Sequence, residues 1–182
     1  ILDADNVIPY NYLRDVNNLC ACPGVEIVQT HRVAKNLNSD MALLDAMSEE
    51  INNTIFRLGH AKLGMSAALI GSGMAFQYDL FRNTMANIKA VGGFDRELEL
   101  TLLYQGKRFH YLPETFVFDE KVQNTNDFSR QRRRWLSAQW HYCTVFARYL
   151  FKAIAERNWD FCDKMFQQLS IPRLLLLGFT FL

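Results

Sequence analysis

Ile1-Leu2-Asp3-Ala4-Asp5-Asn6 opens the chain, and the reading of this stretch decides the fold. Two apolar residues run straight into alternating aspartates. Ile1 and Leu2 read as the last two residues of a buried strand. Residues two apart on a strand face the same side, so Asp3 and Asp5 project together from its carboxyl end. In an α/β sheet that end opens into the ligand crevice. Two hard oxygen donors placed there suit Mg²⁺ or Mn²⁺ bridging a diphosphate. Asp-x-Asp alone is a weak motif; the apolar pair in front of it gives it a structural place.

Outward from this turn, strand and helix patterns alternate, as α/β layers require. Pro9 opens a helix running to about Cys20. Val25 to Thr30 alternates apolar and polar residues, a half-buried strand, with Arg32, Lys35 and Asn36 in the loop after it. Ser39 or Asp40 caps the next helix. Leu44, Met47, Ile51, Ile55 and Leu58 recur at helical spacing and mark its buried face, and Gly59 ends it. A strand within 67–76 is broken by Gly71-Ser72-Gly73. Helices follow over 78–87 and 95–104, the second preceded by a Gly92-Gly93 turn and ended by Gly106. Short strands at 109–112 and 115–118 flank Pro113. From about Asn126 the pattern becomes long helix, rich in aromatic and basic residues, and a further helix spans Asp160 to Leu169.

With 182 residues and 49% apolar content, the chain can build one domain with a sizeable core. Its net charge of +1 provides no global field for nucleic acid. The arginines at 130, 132, 133 and 134 lie among apolar neighbours, so nucleic acid is not an expected partner. Cys20-Ala21-Cys22 is too tight for an ordinary disulfide and lacks the second pair of a zinc site; reduced cysteines are expected. Both ends read as cut from a longer protein. Leu174 to Leu182 is apolar apart from Gly178 and Thr180, but shorter than the roughly 20 residues a membrane span needs. It reads either as the start of a transmembrane helix or as a buried C-terminal helix.

Three further groups carry candidate chemistry. Gln131, Arg134 and Trp135 lie at i, i+3 and i+4 and share one helical face. There an arginine can fork onto phosphate oxygens and an indole can stack on a sugar ring. Arg132 and Arg133 suit an exposed basic face. Asp95, Glu97 and Glu99 place three carboxylates within a turn and a half, while Leu98 and Leu100 must find a core. Gly71-Ser72-Gly73 lets backbone approach a sugar closely but lacks the lysine of a P-loop. The four histidines show no metal spacing. The aromatic stripe of the last third fits a helix lying on a membrane surface, with rings at headgroup depth and basic side chains snorkelling; a helix packed on the domain fits it as well.

In this order, Asp-x-Asp, Gly-Ser-Gly, Gly-Gly-Phe-Asp with an acidic helix, and Gln-x-x-Arg-Trp before an apolar tail, the chain resembles the membrane-bound family-two glycosyltransferases, among them cellulose synthase and hyaluronan synthase. The resemblance covers nearly the whole chain. It implies an α/β fold: the C-terminal part of a GT-A domain over 1–125, interfacial helices over 126–170, and the start of a transmembrane segment over 171–182. It further implies inverting transfer from a UDP-sugar to a saccharide acceptor. Asp3 and Asp5 would hold Mg²⁺ or Mn²⁺ on the diphosphate, and Glu97 would act as catalytic base. Gln131, Arg134 and Trp135 would line the place where acceptor and diphosphate meet, and Gly71, Ser72 and Gly73 the acceptor floor. The family uses aspartate as base, in a Glu-Asp pair, so Asp95 and Glu99 stay open as substitutes. The family's nucleotide-binding first half has no counterpart here, so the chain alone is expected to be inactive. The resemblance implies membrane lipid and further membrane subunits as partners. The basic residues ahead of the tail put the catalytic side in the cytoplasm. Two other readings stay open: a membrane-associated binding scaffold, and a metal-dependent nucleotidyltransferase or phosphohydrolase.

Overall fold

Alternation of β-branched and polar residues builds a small mixed sheet, and helices cover it. The computed structural model describes residues 1–90 and 93–169. Gly92 of the expected turn and the apolar tail at 171–182 lie outside the described residues. The elements run α1 (Tyr12–Cys20), β1 (Ile27–Ala34), α2 (Asp40–Asn52), a π-helical stretch (Asn53–Gly59), α3 (His60–Lys62), β2 (Met74–Phe76), α4 (Tyr78–Met85), α5 (Phe94–Tyr104), β3 (His110–Asp119), α6 (Thr125–Ala147), α7 (Leu150–Ala155) and α8 (Trp159–Leu169). The sheet order is β2-β1-β3, with β1 antiparallel to β2 and parallel to β3.

The two strands expected around Pro113 form one, β3, whose pairing with β1 shifts register between Thr30 and His31. β1 runs on through Arg32, which was expected in a loop; the Arg32 side chain is only 14% exposed because carboxylates meet it inside. Ile1 and Leu2 are each 41% exposed and belong to no strand, rather than ending a buried one, although Ile1 exchanges two backbone hydrogen bonds with Met74, the first residue of β2. The main core gathers Ile27, Leu98, Leu102, Phe109, Tyr142, Phe146 and Phe161, uniting the sheet with α5, α6 and α8.

The largest departure from expectation is α2. Of the two expected caps, Ser39 serves, its Oγ accepting from the Ala42 N–H at 3.2 Å, and Asp40 is the first helical residue. Yet Leu44, Met47 and Ile55 are 42%, 55% and 51% exposed, while Asp45, Glu49, Asn53 and Arg57 are 8%, 7%, 1% and 2% exposed. The helix therefore turns its charged face inward. Those four residues are spaced by four, slightly more than the ~3.6 residues of an α-helical turn. The wider π-helical stretch takes up the drift and keeps Arg57 pointing in, where its Nη1 donates to Asn53 Oδ1 at 2.7 Å.

The last third uses both of its faces. Tyr142, Phe146, Phe161 and Met165 join the core, while Trp140, Phe151 and Trp159 are 67%, 85% and 60% exposed. Polar ties also dock α8: Ser66 Oγ donates to Asp160, and Lys164 pairs with Glu99 at 2.7 Å. No helix among the described residues is long and apolar enough to cross a membrane.

Candidate functional site

The opening aspartates are stitched to the end of β3. Val7 and Phe118 exchange two backbone hydrogen bonds of 2.9 Å, which brings the Asp3–Asn6 turn beside Asp119. Asn6 organises this turn. Its Oδ1 accepts from the Asp3 N–H at 3.0 Å, and its Nδ2 donates to Asp119 Oδ1 at 3.1 Å and to Asp5 Oδ1 at 3.4 Å. One carboxylate oxygen from each of Asp3, Asp5 and Asp119 lies within 4.8 Å of the others. Burial, then the charge of Asp119, pushes the Asp3 pKa above its ordinary 3.8; Asp5 and Asp95 add to this and Arg32 opposes it. Mutual repulsion of this kind is what a bound cation relieves. Three hard oxygen donors from two segments also fit the ligand preference of Mg²⁺ or Mn²⁺.

The three carboxylates of α5 have different surroundings. Glu99 is 3% exposed, pairs with Lys164 at 2.7 Å and accepts from the Leu69 N–H at 2.8 Å. Its charge is committed to the interior. Glu97 faces the loop before its own helix: its Oε2 accepts from the Ala90 N–H at 2.9 Å and from the Tyr142 hydroxyl at 3.3 Å. It thereby holds Ala90 at a φ of +47°, a left-handed conformation that a residue with a Cβ adopts only under constraint. The charge of Asp95 acts on Asp3, adding to the rise in its pKa. Asp95 lies against Gly71, where a Cβ would sit 3.4 Å from Asp95 Oδ2.

Gly71-Ser72-Gly73 divides into parts. Gly71 packs against Asp95. Ser72 is fully buried, and its Oγ receives Arg32 at 3.5 Å, so its side chain faces the interior rather than an open floor. Gly73 has a φ of +65°, and a Cβ there would lie 2.7 Å from Thr30 Oγ1 and 2.8 Å from Val117 Cγ1. Its missing side chain admits the sheet rather than a ligand.

Behind the cluster lies a network of ion pairs. Glu49 Oε2 accepts from Arg32 Nη2 and Lys121 Nζ, each at 2.7 Å, and Arg57 stands 3.9 Å from the other oxygen. Lys121 also pairs with Asp119 at 2.9 Å and Arg32 with Asp119 at 3.7 Å. Burial alone would raise the Glu49 pKa, but Arg32, Lys121 and Arg57 outweigh it and bring it down to about 2. Three cations thus serve Glu49 and Asp119, and the charge of Arg32 also reaches Asp3.

Gln131, Arg134 and Trp135 share a face of α6 as expected. Gln131 Oε1 is buried with no hydrogen-bond partner, and Arg134 is exposed. Arg132 departs from the exposed basic face expected for it. Its guanidinium lies 4.7 Å from the Phe128 ring centroid and 4.8 Å from that of Trp135, and it pairs with Asp45 on α2. A separate apolar cavity of about 320 Å³ lies along β2, lined by Ile1, Leu2, Tyr12, Met74, Phe76 and Phe81 among others; it contains none of the candidate site residues.

Asp119, Asn6, Lys121 and the inward face of α2 escaped sequence reading. The signals were present: Asp119-Glu120-Lys121 follows the apolar alternation of Phe116-Val117-Phe118, and polar residues, three charged and one amide, recur every fourth position from Asp45 to Arg57.

A small mixed sheet clothed by helices, with an acidic turn at its edge, defines an α/β domain. The family model for glycosyl transferase family group 2 matches residues 1–179, and the chain belongs to that family. It is accordingly a glycosyltransferase domain, working on a nucleotide-sugar donor and an acceptor, and its mixed α/β architecture fits a GT-A domain. No curated protein matches the chain.

Proposed function

We propose that the protein transfers a sugar from a UDP-sugar to a saccharide hydroxyl with inversion, as a membrane-associated enzyme of the cellulose synthase and hyaluronan synthase type. The observation that carries this reading is the meeting of Asp3, Asp5 and Asp119 within 4.8 Å, with Asp95 in electrostatic reach. Asp3 and Asp5, joined by Asp119, would hold Mg²⁺ or Mn²⁺. When bound, the ion supplies neutralising charge for the diphosphate.

The chain's own residues do the rest. Asp95 takes the proton from the acceptor hydroxyl as that oxygen attacks the anomeric carbon. We assign the base to Asp95 rather than Glu97, because the Glu97 carboxylate already holds the Ala90 N–H and the Tyr142 hydroxyl. Arg134 offers donors to the departing diphosphate. Gln131 Oε1, buried and unpartnered, accepts from a saccharide hydroxyl, and Trp135 supplies the face on which the sugar ring stacks. Asn6 holds the aspartates in register, and the buried cations fix Asp119.

Exposed Trp140, Phe151 and Trp159, with Arg148, Lys152 and Arg157 nearby, support docking of the C-terminal helices on a lipid surface. The catalytic side then faces the cytoplasm.

Calorimetric titration of the full-length protein with UDP and Mn²⁺ tests the donor site: saturable binding is expected, weakened by Asp5→Ala. UDP release by the full-length protein from a panel of UDP-sugars tests the base. Asp95→Asn should lower turnover by ~10²–10⁴-fold with UDP affinity retained, while Glu97→Gln keeps most of it. The opposite ranking returns the base to Glu97. Absence of UDP binding, with lipid binding intact, leaves a membrane scaffold instead.

A further inference from the structure

The first three turns of α6 carry the Gln-x-x-Arg-Trp residues, yet the buried residues of this helix begin only at Ala138. Something other than core packing must fix its exposed half. Among the described residues, the side chain that bonds this half to another element is Arg132, donating to Asp45 Oδ1 at 2.5 Å. Asp45 is 8% exposed, so this pair is not a solvated surface contact. The same guanidinium is flanked by the Phe128 and Trp135 rings, at 4.7 and 4.8 Å from their centroids. Phe128, Arg132 and Trp135 follow each other at i, i+4 and i+7, one helical face. Asp45 lies one turn from Glu49, which binds Arg32 and Lys121 and through them reaches Asp119.

We propose that Asp45 and Arg132 are positioning residues: Asp45 holds the Arg132 guanidinium, and that plane holds the Trp135 indole at the saccharide face of the site. This rests on the sugar-stacking role proposed above for Trp135. The inward face of α2 then acts as a strut, setting the tryptophan at one end and the acidic cluster at the other. Only a planar cation fits the role. Arginine stacks between two rings while its edge stays paired to a carboxylate; a lysine ammonium can pair but cannot stack as a plane.

The protein has three tryptophans, so a Trp140→Phe/Trp159→Phe background leaves Trp135 as sole reporter. Acrylamide quenching of its emission reads the indole without any substrate. Loss of a stacked cation contact frees the ring by about fivefold, so Asp45→Asn and Arg132→Lys should each raise the quenching constant severalfold and shift emission to the red. Asp45→Glu, which keeps the charge, should stay near the parent. A reporter holding only Trp159 should not respond to any of these changes, which separates a local release of Trp135 from general loosening. Should one variant fail to fold by circular dichroism, the other decides. Unchanged Trp135 quenching in the folded Asp45→Asn or Arg132→Lys protein overturns the clamp. Because the reporter needs no nucleotide, that failure is distinct from loss of the transferase reading, which would show as absent UDP binding in the unmodified protein.

Discussion

Replacing Glu49 by Gln should cost about 3 kcal/mol at pH 7. The figure follows from the buried network. Glu49 ionises with a pKa of about 2 in the folded protein against an ordinary 4.5, and each tenfold change in proton affinity corresponds to about 1.4 kcal/mol. Breaking a buried pair by removing one partner costs about 3–5 kcal/mol, in agreement. The pH dependence carries the sign. The folded pKa is depressed, so the contribution is complete above 4.5 and is lost as pH falls from there toward 2. At pH 3 about 1.4 kcal/mol should remain. Urea unfolding of the parent and Glu49→Gln proteins at pH 7 and pH 3 measures both quantities. A gap under about 1 kcal/mol at pH 7, or an equal gap at both pH values, would refute the claim that Arg32, Lys121 and Arg57 hold this carboxylate in its charged form.

Other expectations concern the packing around the site. Gly73→Ala forces a Cβ to within 2.7 Å of Thr30 Oγ1 at a φ of +65°; it should destabilise by ~2 kcal/mol or more, seen as a lower melting temperature. Met47 is 55% exposed, so Met47→Lys should change stability by no more than ~0.5 kcal/mol; a large loss in denaturant would mean that this face of α2 is the buried one. His60 Nε2 meets Asp163 at 3.0 Å, and that hydrogen bond raises the histidine pKa above 6.5 against the opposing effect of burial. Its contribution, about 1 kcal/mol or less, is present below 6.5 and lost as pH rises through the folded value. Asp163→Asn should flatten that slope and lower the pKa read by proton NMR.

Much of the architecture can be read from local patterns. The Ser39 cap, the stop at Gly106 and the long helix from about residue 125 each depend on residues within a few positions, and short-range chemistry decides them. The Asp-x-Asp pair was visible as a motif, but residues 1–6 form a turn rather than a strand end, and Asn6 and the pairing of Val7 with Phe118 bring its carboxylates beside Asp119. α2 was legible as a helix but not in its orientation. Leu44, Met47 and Ile55 have the right spacing for a buried stripe, yet the partners of the opposite face are Arg32, Lys121 and Arg132, on β1, just after β3, and on α6.

The α/β order, most helix positions and the shared face of Gln131, Arg134 and Trp135 were therefore determined by sequence, since each rests on the periodicity of one segment; the helix expected to end at Gly59 instead runs on to Lys62. Which carboxylate of α5 reaches the aspartates, which face of α2 is buried, and what holds Trp135 were decided only by tertiary structure. A charged side chain can be buried only where counter-charges from distant segments compensate its lost hydration, and no local pattern records where those segments will meet.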